Sequence, residues 1–186
     1  QEITVTINGT NDVPTLDLSN DNLNDLLGGD GNLHVVEDGV GRDDANTPTT
    51  DPGKENTSFT GHTTDTGTAS GNDVDAGHIL YFGAAAGENT KTFDPSVFNT
   101  ADSTATGGAA SSVVAGGQYG NLTINSNGSY TYTMKGEGEN VSFELDGKTY
   151  TSLDQLAEGD TIYETFTIYV RDEHGAWSEQ TVTITV

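Results

Sequence analysis

Residues 121–125 (NLTIN) and 129–134 (SYTYTM) flank the tripeptide Ser126-Asn127-Gly128. Asn-Gly between two alternating runs is the strongest short-range signal for a β-hairpin, because such turns need the positive φ that these residues tolerate. Leu122 and Ile124 fall on one face of the first run. Tyr130, Tyr132 and Met134 fall on one face of the second. Successive side chains of a strand point to opposite faces, so each run presents one apolar side.

The pattern repeats outward from this hairpin. Residues 141–145 and 148–151 flank Asp146-Gly147 and predict a second hairpin. Residues 164–171 (ETFTIYVR) put Phe166, Ile168 and Val170 on one face. A turn at 172–175 (DEHG) leads to a last strand, 180–186 (QTVTITV). Upstream, 78–82 (HILYF) follows the turn 73–77 (DVDAG), and 33–37 (LHVVE) reads as a strand stopped by Asp38-Gly39. Residues 2–8 (EITVTIN) are a strand by propensity, broken by the turn chemistry and proline of 9–14 (GTNDVP). The leucines of 16–33 suggest a short helical turn at 22–27, capped by Asn20 or Asp21 and by Gly28. Residues 41–72 read as a long loop with one weak strand near 66–70, and 101–117 as a Gly/Ala/Ser loop. Short alternating strands in succession predict an all-β sandwich with long loops.

Composition narrows the function. The 186 residues suit one domain with long loops, or one domain plus a fragment of a neighbour. Six Lys plus Arg against 29 Asp plus Glu leave a formal charge of -23, which repels nucleic acid and anionic membrane alike. No apolar run is long enough to span a membrane, and the N-terminus does not read as a signal peptide, so an export signal is expected elsewhere in the parent chain. Cysteine is absent, so a secreted domain of this kind would need another staple, such as bound metal. No serine sits in a nucleophile elbow, and the acids lie among turn-formers rather than beside aromatics. An enzyme is therefore not expected.

Thr4-Val5-Thr6-Ile7 recurs as Thr181-Val182-Thr183-Ile184, near the two ends of the chain. If each repeat closes with this strand, residues 1–14 are the last strand of a preceding repeat plus a linker, and the domain spans 15–186. Tandem units of this kind stack in a row. Four segments carry a resemblance: VTINGTNDVP (5–14), NDVDAGHILYF (72–82), GQYGNLTINSNGSYTYTM (117–134) and AEGDTIYETFTIYVRDEHGAWSEQTVTITV (157–186). They resemble the VCBS and cadherin-like repeats of giant, RTX-type bacterial surface adhesins. Residues 16–33, 41–70 and 83–116 fall outside the resemblance and read as insertions. Ala176-Trp177 departs from the small residue that the family carries after the last turn. The resemblance implies a Greek-key sandwich, type I secretion to the extracellular cell surface, a role in adhesion or biofilm formation, and calcium between repeats.

Strand order makes a calcium argument of its own. Ca2+ takes six to eight oxygens, and no single loop here fits an EF-hand. In a seven-strand sandwich entered from the top, the B–C and F–G loops return to the entry end. Asp73 and Asp75 lie in the first, Asp172 and Glu173 in the second, and Asn11 and Asp12 in the entering linker. The competing reading is that these are ordinary turn residues, which Asp favours. The resemblance adds that Asp73-x-Asp75 matches the cadherin-like calcium motif. It also places Glu37, with Asp154 and Glu158 nearby, at the lower end facing the next linker.

The remaining motifs are weaker. Residues 28–32 (GGDGN) match the start of a calcium-binding nonapeptide but occur once, which favours a turn. His34, His62, His78 and His174 have no zinc-site spacing. The expected function is a calcium-stabilised spacer, monomeric apart from neighbouring repeats of its own chain. The alternative is a module binding a host-surface glycan or peptide through its insertions.

Overall fold

The computed structural model describes residues 10–19, 32–35, 63–75, 77–88, 94–104, 111–136, 139–156 and 160–186. Within them the strands are β1 (Thr15–Ser19), β2 (Leu33–His34), β3 (Thr64–Asn72), β4 (Leu80–Ala86), β5 (Ser112–Gly116), β6 (Gly120–Asn125), β7 (Ser129–Met134), β8 (Phe143–Leu145), β9 (Lys148–Tyr150), β10 (Tyr163–Asp172) and β11 (Trp177–Thr185). Two short 3-10 turns, Pro95–Val97 and Leu153–Gln155, complete the described elements.

One sheet has the order β1-β3-β7-β6-β5, the other β2-β11-β10-β4, and β8 pairs with β9 in a separate hairpin. All pairs are antiparallel except β11 with β2. Lettered in chain order, β1, β3, β7 and β6 stand as A, B, E and D, and β11, β10 and β4 as G, F and C. This is the immunoglobulin-like Greek-key sandwich, with β5 and β2 added at the edges.

The Asn-Gly hairpin forms as its sequence predicts. Leu122 faces Tyr132 and Ile124 faces Tyr130 across β6 and β7, and all four are fully buried. Gly128 adopts φ 87°, and its carbonyl accepts from Ala69 N (2.8 Å). Opposite them, Phe166, Ile168 and Val170 of β10 and Val182 and Ile184 of β11 point inward. Tyr132 meets Phe166 edge-on between the sheets, with ring centroids 5.9 Å apart. Buried Asn99 stitches the layers together. Its amide donates to Phe82 O (2.9 Å) in one sheet and to Ile124 O (3.4 Å) in the other.

Several sequence expectations need correction. β3 fills nine positions of a segment read as loop with one weak strand, and it lies inside the first sheet between β1 and β7. Its inward residues are Asp65, Gly67 and Ala69, so no apolar alternation advertises it. Smallness is required there: a Cβ on Gly67 would stand 2.3 Å from Tyr130 Cζ. β5 likewise lies in the supposed Gly/Ala/Ser loop of 101–117. The insertions read at 16–33, 41–70 and 83–116 therefore contain framework strands. β4 begins two residues later than expected and runs to Ala86, and β11 begins at Trp177 rather than 180. Of the segment 33–37, Leu33 and His34 are strand and Val35 is buried, while 36–37 lie outside the described residues. The strand at 2–8, the helical turn at 22–27 and the GGDGN motif lie outside the described residues, apart from Asn32. No helix among the described residues is long and apolar enough to cross a membrane.

Candidate functional site

Antiparallel pairing decides which loops meet. Thr15 pairs with Asn72, and Asp172 pairs with Leu80. The start of β1, the β3–β4 loop and the β10–β11 loop therefore share one end of the sandwich. Residues 11–12, 73–75 and 172–173 come together there.

Asp172 is the hub. It is almost wholly buried. Its Oδ2 accepts from Asn11 Nδ2 (2.6 Å), and its Oδ1 accepts from the N–H groups of His174 (2.8 Å) and Ala176 (2.9 Å). Burial pushes this carboxyl up, but the Asn11 amide and the N–H groups of Ala176, Gly175 and His174 outweigh it, so the pKa lies below the ordinary value. Asp75 Oδ2 accepts from Asp12 N (3.0 Å), which fastens the segment before β1 to the β3–β4 loop. Asp73 is also buried. Its Oδ1 accepts from Asp75 N (2.9 Å), while its Oδ2 is buried with no hydrogen-bond donor among the described residues. Glu173 Oε2 accepts from Ile79 N (2.8 Å), and that bond is the main reason its carboxyl is lowered.

Arg171 brings a positive charge close by and donates to the Asp172 carbonyl (3.3 Å). Among the described residues, the one ion pair involving these carboxylates joins His174 Nδ1 to Glu173 Oε1 at 3.8 Å. Nor do three His, Asp or Glu side chains among the described residues stand close enough to hold a metal unaided. A cation here would need the Asn11 amide and backbone carbonyls as well, which is the oxygen mixture that Ca2+ takes. The orphaned Asp73 Oδ2 fits such a cation. So does Asn11, because amide O and N exchange places by a simple flip. Glu37 and Glu158 lie outside the described residues. Asp154 accepts from the Ser152 hydroxyl (2.8 Å) at a 3-10 turn and is exposed.

With calcium chelated, the stability contributed by Asp172 is present above the ordinary Asp pKa of about 3.9. It is lost as pH falls through the depressed folded value, because the unfolded chain then binds more protons. Asp172→Asn should therefore be less stable than the parent at neutral pH, and the gap should narrow on acidification. Urea unfolding across that range checks this, and a gap independent of pH would contradict it.

The opposite end holds a cluster that sequence reasoning missed. Glu164, at the start of β10, accepts from Gln118 N (2.8 Å), Tyr119 N (3.3 Å) and the Tyr132 hydroxyl. Lys135 Nζ donates to the carbonyls of Gly117 (2.9 Å) and Gln118 (3.0 Å). Burial, followed by the bond to Glu164, pushes the Tyr132 phenol far above its ordinary pKa. Glu164 is one of many acids in a Thr-rich strand, and its partners are 32–46 residues away, so no local pattern marks it. Back at the Asp172 end, the Trp177 and Tyr169 rings pack with centroids 6.0 Å apart. Arg171 stacks over Tyr81, 4.2 Å from the ring centre.

Comparison with protein-family models, with curated proteins and with solved structures finds no match.

Proposed function

We propose that this domain is a calcium-stabilised spacer repeat of a bacterial cell-surface adhesin, secreted by a type I route and serving adhesion or biofilm formation. One observation carries the reading. Three acidic segments far apart in sequence meet at the end where the linker enters, and they leave Asp73 Oδ2 buried without a donor. A buried carboxylate oxygen without a partner costs roughly 1–3 kcal/mol or more, and a divalent cation removes that cost. Asn11 and Asp12 bring the linker into the same cluster, so an ion held there would also fix the angle at which a preceding domain leaves. The resemblance to VCBS and cadherin-like repeats and the charge of -23 point the same way. The site binds rather than reacts, and no catalytic role is assigned to any residue.

Calorimetric titration with Ca2+ tests this directly. The parent chain should bind, and Asp73→Ala with Asp75→Ala should abolish binding at this end. The core should stay intact, since neither residue belongs to the hydrophobic core cluster. Unchanged calcium affinity in the double variant would overturn the reading.

A further inference from the structure

The large apolar side chains exposed among the described residues are Val13 (60 %), Val74 (76 %), Val114 (60 %) and Tyr163 (62 %). Single exposed valines are common, but three of these four sit at the ends of the sandwich. Val13 follows Asp12 and Val74 precedes Asp75, and the Asp12 N to Asp75 Oδ2 bond (3.0 Å) brings them together at the linker end. Tyr163 opens β10 at the far end, opposite Thr185, where Ile162 and Val186 bond to each other and β11 runs out.

We propose that Tyr163 of one copy of this domain packs on Val13 and Val74 of the next copy in series, forming an apolar seat inside the acidic junction. The inference rests on the spacer reading. Thr4–Ile7 recur as Thr181–Ile184, as tandem units of one chain would. Tyr163 stands across from Thr185, which by that recurrence aligns in sequence with Asn8, five residues before Val13. Five residues span at most roughly 17 Å. Much of that slack is removed by the bonds from Asn11 to Asp172 and from Asp12 to Asp75.

The chemistry suits the place. A tyrosine ring covers two valines while its hydroxyl stays in water. Carboxylates at the linker end would repel a purely polar partner of the same acidic chain. One ring on two valines is far below the area of a stable free interface, so the contact works only because the linker supplies a high effective concentration.

The chain contains no cysteine, which permits a clean cross-linking test. Two copies are joined in series, Thr10 of the second following Val186 of the first. Thr161→Cys is placed in the first copy and Asn72→Cys in the second, both exposed, so that Tyr163, Val13 and Val74 themselves stay in place. The reference pair replaces the second change with Val114→Cys, on the lateral edge strand β5. All three positions are exposed, so folding is not at risk. In calcium, the end-to-end pair should form its disulfide at least about tenfold faster than the reference pair, because contact raises local concentration. Equal rates in a two-copy chain that scattering shows to be extended would overturn the seat and leave the spacer reading standing. Equal rates in a freely jointed chain would overturn both.

Discussion

Adding calcium to the chelator-treated protein should raise its thermal unfolding midpoint by roughly 5–10 °C. An ion that binds only the folded state, at a hundred times its dissociation constant, adds about 2.7 kcal/mol by mass action. In a domain of this size each kcal/mol is worth about 2–4 °C. The gain has two physical sources here. The ion would coordinate Asp73 Oδ2, which is buried with no donor among the described residues, and would relieve repulsion among Asp12, Asp73, Asp75, Asp172 and Glu173 in a chain of net charge -23. The same scan on Asp73→Ala with Asp75→Ala should lose the calcium-dependent shift. Superimposable melts of the parent with and without calcium would remove the basis for a calcium staple.

Glu164→Ala should destabilise the domain by about 3 kcal/mol or more, with or without calcium. The carboxylate serves Gln118 N, Tyr119 N and the Tyr132 hydroxyl at once. Tyr132 is fully buried, so truncation leaves its hydroxyl without an acceptor. A lost bond to a charged acceptor is worth about 1.5–3 kcal/mol, and a stranded buried donor adds its desolvation cost. Tyr132→Phe removes one of the three donors and should cost less than half as much. Glu164 and Asp172 lie eight residues apart on one strand, roughly 26 Å, so the loss should add to that of calcium removal. Urea midpoints in the two conditions give this directly. A loss below about 0.5 kcal/mol, the usual range for surface changes, would show that the 117–119 turn holds without Glu164.

Much of the architecture was legible because burial wrote it into alternation. In β6, β7, β10 and β11 the alternate residues near the strand centres, such as Leu122, Tyr132, Ile168 and Val182, are large, apolar and buried, and the turn residues Asn127-Gly128 and Asp146-Gly147 mark where strands reverse. With a seven-strand sandwich assumed, counting strands up and down put residues 11–12, 73–75 and 172–173 at one end, where the structure joins them by hydrogen bonds. β3 was not legible, for a reason just as physical. Its inner face is Asp65, Gly67 and Ala69, and at Gly67 the Tyr130 ring already occupies the space of a side chain, so volume lost on one strand compensates volume gained on its neighbour. A pattern read along one strand does not register a trade made between two. β5 is an edge strand with one buried position, Ala115, and leaves too faint a trace among glycines and serines.

The sequence by itself determined the class of fold, its hairpins and the acidity gathered in its turns, since these follow from side-chain size and charge at fixed spacing along the chain. Only the tertiary structure decided which carboxylates acquire donors and which does not. Asp172 and Asp73 are both turn aspartates in the sequence. Asp172 is surrounded by the Asn11 amide and three backbone N–H groups, whereas Asp73 turns one oxygen into a buried place with no donor among the described residues. That difference comes from how three distant segments pack, because a hydrogen bond depends on distances of a few tenths of an ångström that only the assembled sandwich sets.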